Sequence, residues 1–370
     1  MQDVVQLTQD LVAIKSVSQW SNQEISDSLE ETLRRSSFEV ERLEYVDDQG
    51  ERKVSLVAKK GNGQDGFGLF SHSDTVPGNE WAWDAFSPAV NEGRLIGRGS
   101  CDMKGPLAAT IVAADSIDAK DLKRPVYVVV TADEEVSGIG AKHVARESSL
   151  FQEAIPKHGV IAEPTSLIPV YAHKGGAAVI VTAHGKAAHT STDRGLSANF
   201  LIAPFLAEMA ELADRLKTAE SFMNREFEPP TNGFNMVLND GGCKSNVTAA
   251  KTVCTVGFRT MPNDRRADLI AEVTECARKY DLEVTSRVSD PFCVATDAQI
   301  VQTALQATEV DKPETVPFGT DAHAFKDQMQ LVILGPGNIA QAHTVGEWIE
   351  IAQLERAVDV YRRMIEILCT

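Results

Sequence analysis

Short apolar runs that alternate with helix-like stretches constrain the fold of this chain more than any other feature. Four of these runs have the length of buried strands, and they lie at residues 67–70, 126–130, 159–162 and 330–334. A longer segment with helical character, 106–117, separates the first two. Strands that alternate with helices pair side by side in a sheet on which the helices pack. The sequence therefore predicts an α/β fold whose sheet is mainly parallel and covered by helices.

Polar residues suited to metal binding follow the ends of these runs. They are His72, Asp74, Glu134, Glu135, Glu163 and His343. Ligands of such sheets bind outside the carboxyl ends of the strands, so we expect these side chains to converge. His72 and Asp74 are two residues apart and point to the same side of an extended chain. The Asp74 carboxylate is thereby able to hold the imidazole while the other ring nitrogen binds a metal.

A further carboxylate, Asp102, lies in the glycine-rich segment 97–105, directly before the helix-like stretch. Glycine permits a sharp turn and the close approach of backbone to a ligand. Each feature alone also fits an ordinary strand end or a surface turn, but together they favour a metal site. Cys101, beside Asp102, is interpreted as a packed small residue, with metal ligation as the alternative.

The chain length and a change in sequence texture indicate two domains. A chain of 370 residues is too long for one ordinary core. Residues 174–283 differ in sequence pattern from the rest of the chain. Strands are predicted there at 177–183 and 252–258, and helices at 196–217 and 266–280. We therefore predict a smaller α+β domain at 174–283, inserted into a catalytic domain made of residues 1–173 and 284–370.

The composition excludes several classes of partner. A net charge of −17 argues against binding to nucleic acid or to an anionic membrane. The apolar runs are far too short to span a bilayer. Val4, Leu7 and Leu11 are spaced like one face of a helix, which does not resemble a signal peptide. Six scattered cysteines without a CxxC pair indicate reduced thiols, so we expect a cytoplasmic protein.

Seven motifs of the chain resemble, in the same order, those of the acetylornithine deacetylase / succinyl-diaminopimelate desuccinylase family. This family consists of co-catalytic zinc amidohydrolases that are relatives of glutamate carboxypeptidase and aminoacylase. The resemblance extends from the N-terminal helix to the last strand. Its motifs are SHSDTVP (71–77), GRGSCDMKG (97–105), TADEEVSG (131–138), AEPT (162–165), GKAAHTS (185–191), FRTMP (258–262) and GPGNIAQAHT (335–344).

The resemblance implies a site with two zinc ions per chain, for which cobalt is a possible substitute. The implied ligands are His72 and Glu163 for one ion, Glu135 and His343 for the other, and Asp102 as the bridge between them. It also implies that Asp74 orients His72, that Glu134 is the general base, and that a cis peptide follows Asp102. Paired zinc ions are able to polarise an amide carbonyl and to activate water near neutral pH.

The resemblance also implies roles for residues outside the metal group. His189 would stabilise the oxyanion in the active site of a partner subunit, in a homodimer formed through the inserted domain. Asn246 and Arg259 match substrate-binding positions, and the guanidinium fork of Arg259 suits a carboxylate. Thr320 and Gly335 are further candidates for substrate binding.

The choice of substrate within the family depends on the segment GTDAHAF (319–325) and on the final motif. Ala324 stands where desuccinylases tend to carry an arginine, and GPGNIAQAHT followed by Glu347 is similar to the acetylornithine and acetylcitrulline deacetylase form. The sequence thus favours removal of an N-acyl group, here acetyl, from an amino acid such as ornithine or citrulline, in arginine biosynthesis. The alternatives are a desuccinylase, a carboxypeptidase- or dipeptidase-like enzyme, a single-zinc hydrolase and a non-catalytic relative. His323 lines a substrate pocket or has a surface or supporting role.

Overall fold

The structure is a computed structural model that describes residues 3–262 and 265–370. The chain forms two compact units. The first contains the chain up to Ala172 together with Val294–Glu314 and Thr320–Thr370, and the second contains His173–Cys293 and Thr315–Gly319. No helix in the described residues is long and apolar enough to cross a membrane.

The first part of the chain contains both helices and strands, and a helix lies between the strands that hold the apolar runs at 67–70 and 126–130. Its elements are α1 (Val4–Ala13), α2 (Gln23–Arg35), β1 (Glu39–Val46), β2 (Arg52–Lys60), β3 (Phe67–His72), β4 (Ala89–Asn91), β5 (Arg94–Ile96), α3 (Lys104–Asp115), β6 (Val126–Thr131), α4 (Ile139–Glu147), α5 (Ser149–Glu153), β7 (His158–Ile161) and β8 (Val170–His173).

The remaining elements complete both units. They are β9 (Gly175–His184), α6 (Ala198–Leu216), β10 (Asn235–Asn239), β11 (Lys251–Thr260), α7 (Arg266–Lys279), β12 (Glu283–Ser289), β13 (Phe292–Cys293), α8 (Gln299–Thr308), β14 (Glu314–Val316), α9 (Ala322–Phe325), β15 (Gln330–Ile333), β16 (Trp348–Glu350) and α10 (Ile351–Cys369).

The large sheet of the first unit is mixed, with a parallel centre. Its strand order is β1-β2-β6-β3-β7-β15-β8. The pairs β6–β3, β3–β7 and β7–β15 are parallel, whereas β1–β2, β2–β6 and β15–β8 are antiparallel. A tight turn at Asp47–Gly50 joins β1 to β2, and so short a connection permits only antiparallel pairing. The predicted α/β class is confirmed, and the predicted parallel arrangement describes the four central strands.

Helix α3 lies in the core of the first unit, and Asp102 is two residues before its first residue, Lys104. Its side chains from Lys104 to Ala114 are all buried, as expected of a helix that is mostly apolar on every side. Small residues such as Ala108 and Ala109 let α1 and α10 pack against it. Burial of each larger aliphatic side chain, such as that of Leu107, contributes about 1.5–3 kcal/mol. The segment that carries Asp102 is therefore anchored to a rigid core.

The second unit contains a four-stranded antiparallel sheet in the order β10-β11-β9-β12. Buried and less buried residues alternate along most of β9 and β11, because one face of the sheet packs on α6 and α7. The predicted domain boundary at residue 283 falls at the start of β12. That strand pairs with β9 from Glu283 to Ser289, so the second unit continues to Cys293.

Candidate active site

Residues that follow three central strands of the first unit meet at one edge of the sheet. In the parallel pairs, His72 lies beside Thr131 and Phe70 beside Ile161. The chain continues from these strand ends to Asp74, to the Glu134-Glu135 pair and to Glu163. The carboxyl edge of a parallel sheet is where such folds bind ligands. The structure thus brings together the residues that the sequence placed at strand ends.

Asp102 lies between the two predicted histidine ligands. Its Oδ1 is 3.2 Å from His72 Nε2, and its Oδ2 is 3.3 Å from His343 Nε2. His343 Nε2 is also 3.0 Å from Glu135 Oε2, and His72 Nε2 is 3.8 Å from Glu163 Oε1. The Asp102–Met103 peptide is cis, as the family resemblance implies. One carboxylate therefore faces a separate histidine with each of its oxygens.

Within the described residues, two overlapping sets of side chains are close enough together to hold a cation. In each set the potential ligand atoms lie within 4.8 Å of one another, and the sets are His72, Glu134 and Glu163, and His72, Asp102 and Glu135. His72, Asp102 and Glu163 are buried. Glu134 belongs to the first set, so its side chain reaches the same space as the predicted ligands.

Crowding of buried carboxylates disturbs the protonation of this site. Burial raises the pKa of Glu163 well above its ordinary value, and the charge of Asp102 adds to that shift. Burial also raises the pKa of Glu134, with the charge of Glu163 adding to it. Hydrogen bonds with Asp102 and Glu135 raise the pKa of His343 to about 10. Buried negative charge of this density needs compensation, and the His, Asp and Glu donors fit a divalent metal ion such as zinc.

Asp74 supports the site in two ways. Its backbone carbonyl lies 2.9 Å from His72 Nδ1, whereas its carboxylate is 3.6 Å from that nitrogen. The carboxylate instead accepts hydrogen bonds from the backbone N–H groups of Glu134 (3.2 Å) and Glu135 (3.3 Å) and from the Ser18 hydroxyl (2.7 Å). The main chain of Asp74 therefore orients His72, and its side chain holds the turn that carries both glutamates.

Asp133 holds the same turn from the other side. It adopts a left-handed conformation with φ of 61°, and its carbonyl accepts hydrogen bonds from the backbone N–H groups of Ser137 and Gly138. Its buried side chain accepts a hydrogen bond from Tyr45 at 2.7 Å and lies 3.0 Å from Lys53 Nζ. Asp133 is thus a buried hydrogen-bonding residue that fixes this turn.

Thr320 and Gly335 also belong to the first unit, but their visible contacts are structural. The Thr320 hydroxyl accepts a hydrogen bond from the backbone N–H of Ala322, and the Thr320 carbonyl lies 2.8 Å from His323 Nδ1. A side chain at Gly335 would place its Cβ 2.3 Å from the Ala162 carbonyl oxygen, so this backbone approach requires glycine. Their roles in substrate binding stay predictions, as does that of His323.

His189, Asn246 and Arg259 lie in the second unit. His189 is exposed, with its Nδ1 2.7 Å from the Ser191 hydroxyl. The backbone N–H of Thr190 donates to the Asn246 carbonyl, which brings the segments of His189 and Asn246 together. The exposed Arg259 is fixed through its backbone, which exchanges hydrogen bonds with Asn232. Their proposed contacts with substrate stay predictions.

Two acids and one serine hydroxyl that support the site were not assigned a role from the sequence. Asp321 is buried and accepts a hydrogen bond of 2.6 Å from Thr131 at the end of β6. Ser18 donates to Asp74. Glu347 is completely buried and accepts hydrogen bonds from the segment that leads to Asp102. The sequence signal for Glu347 was its place four residues after His343.

Several known proteins are similar to this chain in sequence. A family model described as peptidase family M20/M25/M40 matches residues 68–367. An acetylornithine deacetylase of Myxococcus xanthus is 33% identical, covering 97% of this chain and 96% of that protein. The acetylornithine deacetylase of Proteus mirabilis (strain HI4320) is 31% identical, with coverage of 99% and 96%.

Solved structures share the fold at lower sequence identity. A tripeptidase from Staphylococcus aureus matches with a TM-score of 0.76 and 20% identity over 99% of this chain and 98% of that one. An M20 family metallo-carboxypeptidase from Sulfolobus solfataricus matches with a TM-score of 0.77 and 15% identity, covering 100% and 99%. The chain therefore belongs to peptidase family M20/M25/M40 and is a hydrolase that acts on amide bonds.

Proposed function

We propose that this protein is a metal-dependent amidohydrolase that removes an N-acetyl group from an α-amino acid such as N-acetylornithine or N-acetylcitrulline. The observation that carries the proposal is the position of Asp102, whose two oxygens face His72 and His343 separately. The curated relatives over nearly the whole chain are named acetylornithine deacetylases, which favours the acetylated substrate and a place in arginine biosynthesis.

The metal centre in this proposal takes two zinc ions, which cobalt is able to replace. His72 and Glu163 would hold one ion, Glu135 and His343 the other, and Asp102 both. Divalent ions at such a site supply Lewis acidity for an amide carbonyl and lower the pKa of nearby water. His72 Nδ1 lies 2.9 Å from the Asp74 carbonyl, so a proton on Nδ1 would leave Nε2 free to bind metal.

Glu134 acts as general base in this proposal. Burial and the charge of Glu163 raise its pKa above the ordinary range for glutamate. A carboxylate with a raised pKa is better suited to accept a proton from water and to donate it to the leaving amine. Asp74 keeps Glu134 in place, because its carboxylate accepts a hydrogen bond from the Glu134 backbone N–H.

The remaining parts of the proposal concern the second unit and the cell. Arg259 and Asn246 would bind the substrate carboxylate, with Thr320 and Gly335 lining the remainder of the substrate site. His189 would stabilise the oxyanion across a homodimer formed through the second unit. We place the enzyme in the cytoplasm, in keeping with its six free cysteines.

A hydrolysis panel tests the proposal. Zinc-loaded protein is assayed with N-acetylornithine, N-acetylcitrulline, N-acetylmethionine, N-succinyl-diaminopimelate and several dipeptides. Glu134→Gln serves as the inactive variant, and Glu355→Gln, at an exposed position of α10, is its matched control.

We expect the highest kcat/KM for an acetylated basic or ureido amino acid, lost in Glu134→Gln and kept in Glu355→Gln. A preference for the succinylated substrate would contradict our interpretation of Ala324 and support a desuccinylase. Cleavage of peptides alone would support a peptidase. Failure to hydrolyse any member of the panel would favour a non-catalytic relative.

A further inference from the structure

A single buried acid, Glu347, organises the segment that leads to Asp102. Its Oε1 accepts hydrogen bonds from the backbone N–H groups of Cys101 (2.9 Å) and Asp102 (3.0 Å). Its Oε2 accepts hydrogen bonds from the backbone N–H of Gly99 (3.0 Å) and from Arg98 Nη1 (2.7 Å). The side chain of Glu347 is 1% exposed, so water does not compete for these four donors.

The contact depends on a small sheet that joins distant parts of the chain. Glu347 and Asp102 are 245 residues apart in sequence. Strand β16 pairs with β5, with Trp348 beside Ile96, and this pairing places Glu347 next to the segment 97–102. The Glu347 carbonyl also accepts a hydrogen bond from the Gly97 backbone N–H at 2.9 Å. Both the main chain and the side chain of Glu347 therefore bind the same turn.

Glu347 also lies four residues after His343, on the loop between that histidine and β16. One carboxylate thus links the loop of His343 to the turn of Asp102. Asp102 Oδ2 is 3.3 Å from His343 Nε2, so a shift of either segment would change the distance between the two side chains.

The four N–H donors around Glu347 favour a carboxylate at this position. Four N–H groups converge on two oxygens, and an ionised glutamate offers about four lone-pair sites and no proton. A glutamine would present an NH₂ group to two of the donors, leaving buried N–H groups without an acceptor. The guanidinium of Arg98, itself buried, balances the charge of Glu347.

We propose that Glu347 is a positioning residue for the metal centre. By holding the Gly97–Asp102 turn against the His343 loop, it keeps the Asp102 carboxylate between His72 and His343. This inference rests on the proposed metal-dependent function. Glu347 does not contact substrate in this role, so its loss changes metal affinity and kcat far more than KM.

The test compares Glu347→Gln with Glu350→Gln. Glu350 is three residues further on, is exposed, and makes no side-chain hydrogen bond to any residue in the described ranges, so it controls for removal of a nearby charge. Three quantities are measured for each variant: zinc affinity by competition with a chelator, kcat and KM for N-acetylornithine, and hydrogen–deuterium exchange of the backbone amides at 97–103 without metal.

We expect Glu347→Gln to weaken binding of at least one zinc ion by tenfold or more and to lower kcat by tenfold or more, with KM within threefold of wild type. Amide exchange at 97–103 should accelerate, because three of these amides lose an anionic acceptor. Glu350→Gln should match wild type in all three measurements. Glu347→Asp, which keeps the charge on a shorter side chain, should recover part of the zinc affinity.

Wild-type zinc affinity and kcat in Glu347→Gln would overturn the inference, even if the variant melted at a lower temperature, because the role of Glu347 would then be only structural. The proposed function fails separately if wild-type protein binds no zinc or hydrolyses no acylated amino acid. If the wild type binds zinc, but amide exchange at 97–103 in Glu347→Gln is as slow as in the wild type, only the positioning role is overturned.

Discussion

Replacement of Asp74 by asparagine separates two roles for this residue that the sequence did not distinguish. The carboxylate is almost fully buried and accepts hydrogen bonds from the Glu134 and Glu135 backbone N–H groups and from the Ser18 hydroxyl. An asparagine amide has one oxygen, so its NH₂ group must face at least one of these donors. The His72 contact is made by the Asp74 carbonyl at 2.9 Å, and the substitution does not remove it.

The expected loss of stability follows from these contacts. A buried donor left without an acceptor costs about 1–3 kcal/mol, and hydrogen bonds to a charged group each contribute about 1.5–3 kcal/mol. We expect Asp74→Asn to lower the free energy of unfolding by about 2–4 kcal/mol. We expect Ser18→Ala, which removes one donor and leaves the carboxylate bound to both amides, to lower it by about 1.5 kcal/mol, the lower end of that range.

The same substitution should affect turnover more than metal binding. The turn that carries Glu134 loses its anchor, and a displacement of about 1 Å in a reacting group is able to lower the rate by about a hundredfold. Zinc affinity should fall by less than kcat, because His72 keeps its carbonyl partner. Urea unfolding without metal, zinc competition and steady-state kinetics measure the three effects. A stability within about 0.5 kcal/mol of wild type, with unchanged kcat, would refute this account of Asp74.

Three further predictions concern single residues. Glu134→Gln should lower kcat by about 10²–10⁴-fold, the range of general acid–base catalysis, while elemental analysis finds wild-type zinc content. Hydrogen bonds from Lys279 and Tyr280 lower the pKa of Glu208 to about 2, so its stabilisation is present above its ordinary pKa of 4.5 and is lost as pH falls towards 2. The difference in urea midpoint between wild type and Glu208→Gln should therefore narrow from pH 7 to pH 3. His189→Ala should lose turnover but keep zinc, and full activity would exclude it from the oxyanion site.

Local sequence patterns were sufficient to predict the strands and the helix next to which the predicted metal ligands lie. The apolar run at 126–130 lies in β6, and the run at 330–334 corresponds to β15. The helix predicted at 106–117 begins slightly earlier, at Lys104. A strand buried on both faces has a continuous apolar sequence. Its position, and the polar residues that follow it, can therefore be identified from the sequence alone.

Contacts between distant segments were not predictable in the same way. Glu347 follows the final motif, but its burial depends on the pairing of β16 with β5, which the sequence around it does not reveal. Asp74 follows a strand, and the backbone N–H of the next residue, Thr75, donates to the Ser16 carbonyl. The Asp74 carboxylate accepts hydrogen bonds from the turn of Glu134, whereas simple alternation along an extended chain placed it against His72.

A metal titration of the apoprotein tests the central claim most directly. Zinc is added in known equivalents per chain while the initial rate of N-acetylornithine hydrolysis is recorded, and bound zinc is counted by elemental analysis. Two ions held by His72, Glu163, Glu135 and His343, with Asp102 between them, predict that activity saturates at two equivalents per chain. Full activity at one bound ion would contradict the bridging role of Asp102 and the two-metal site.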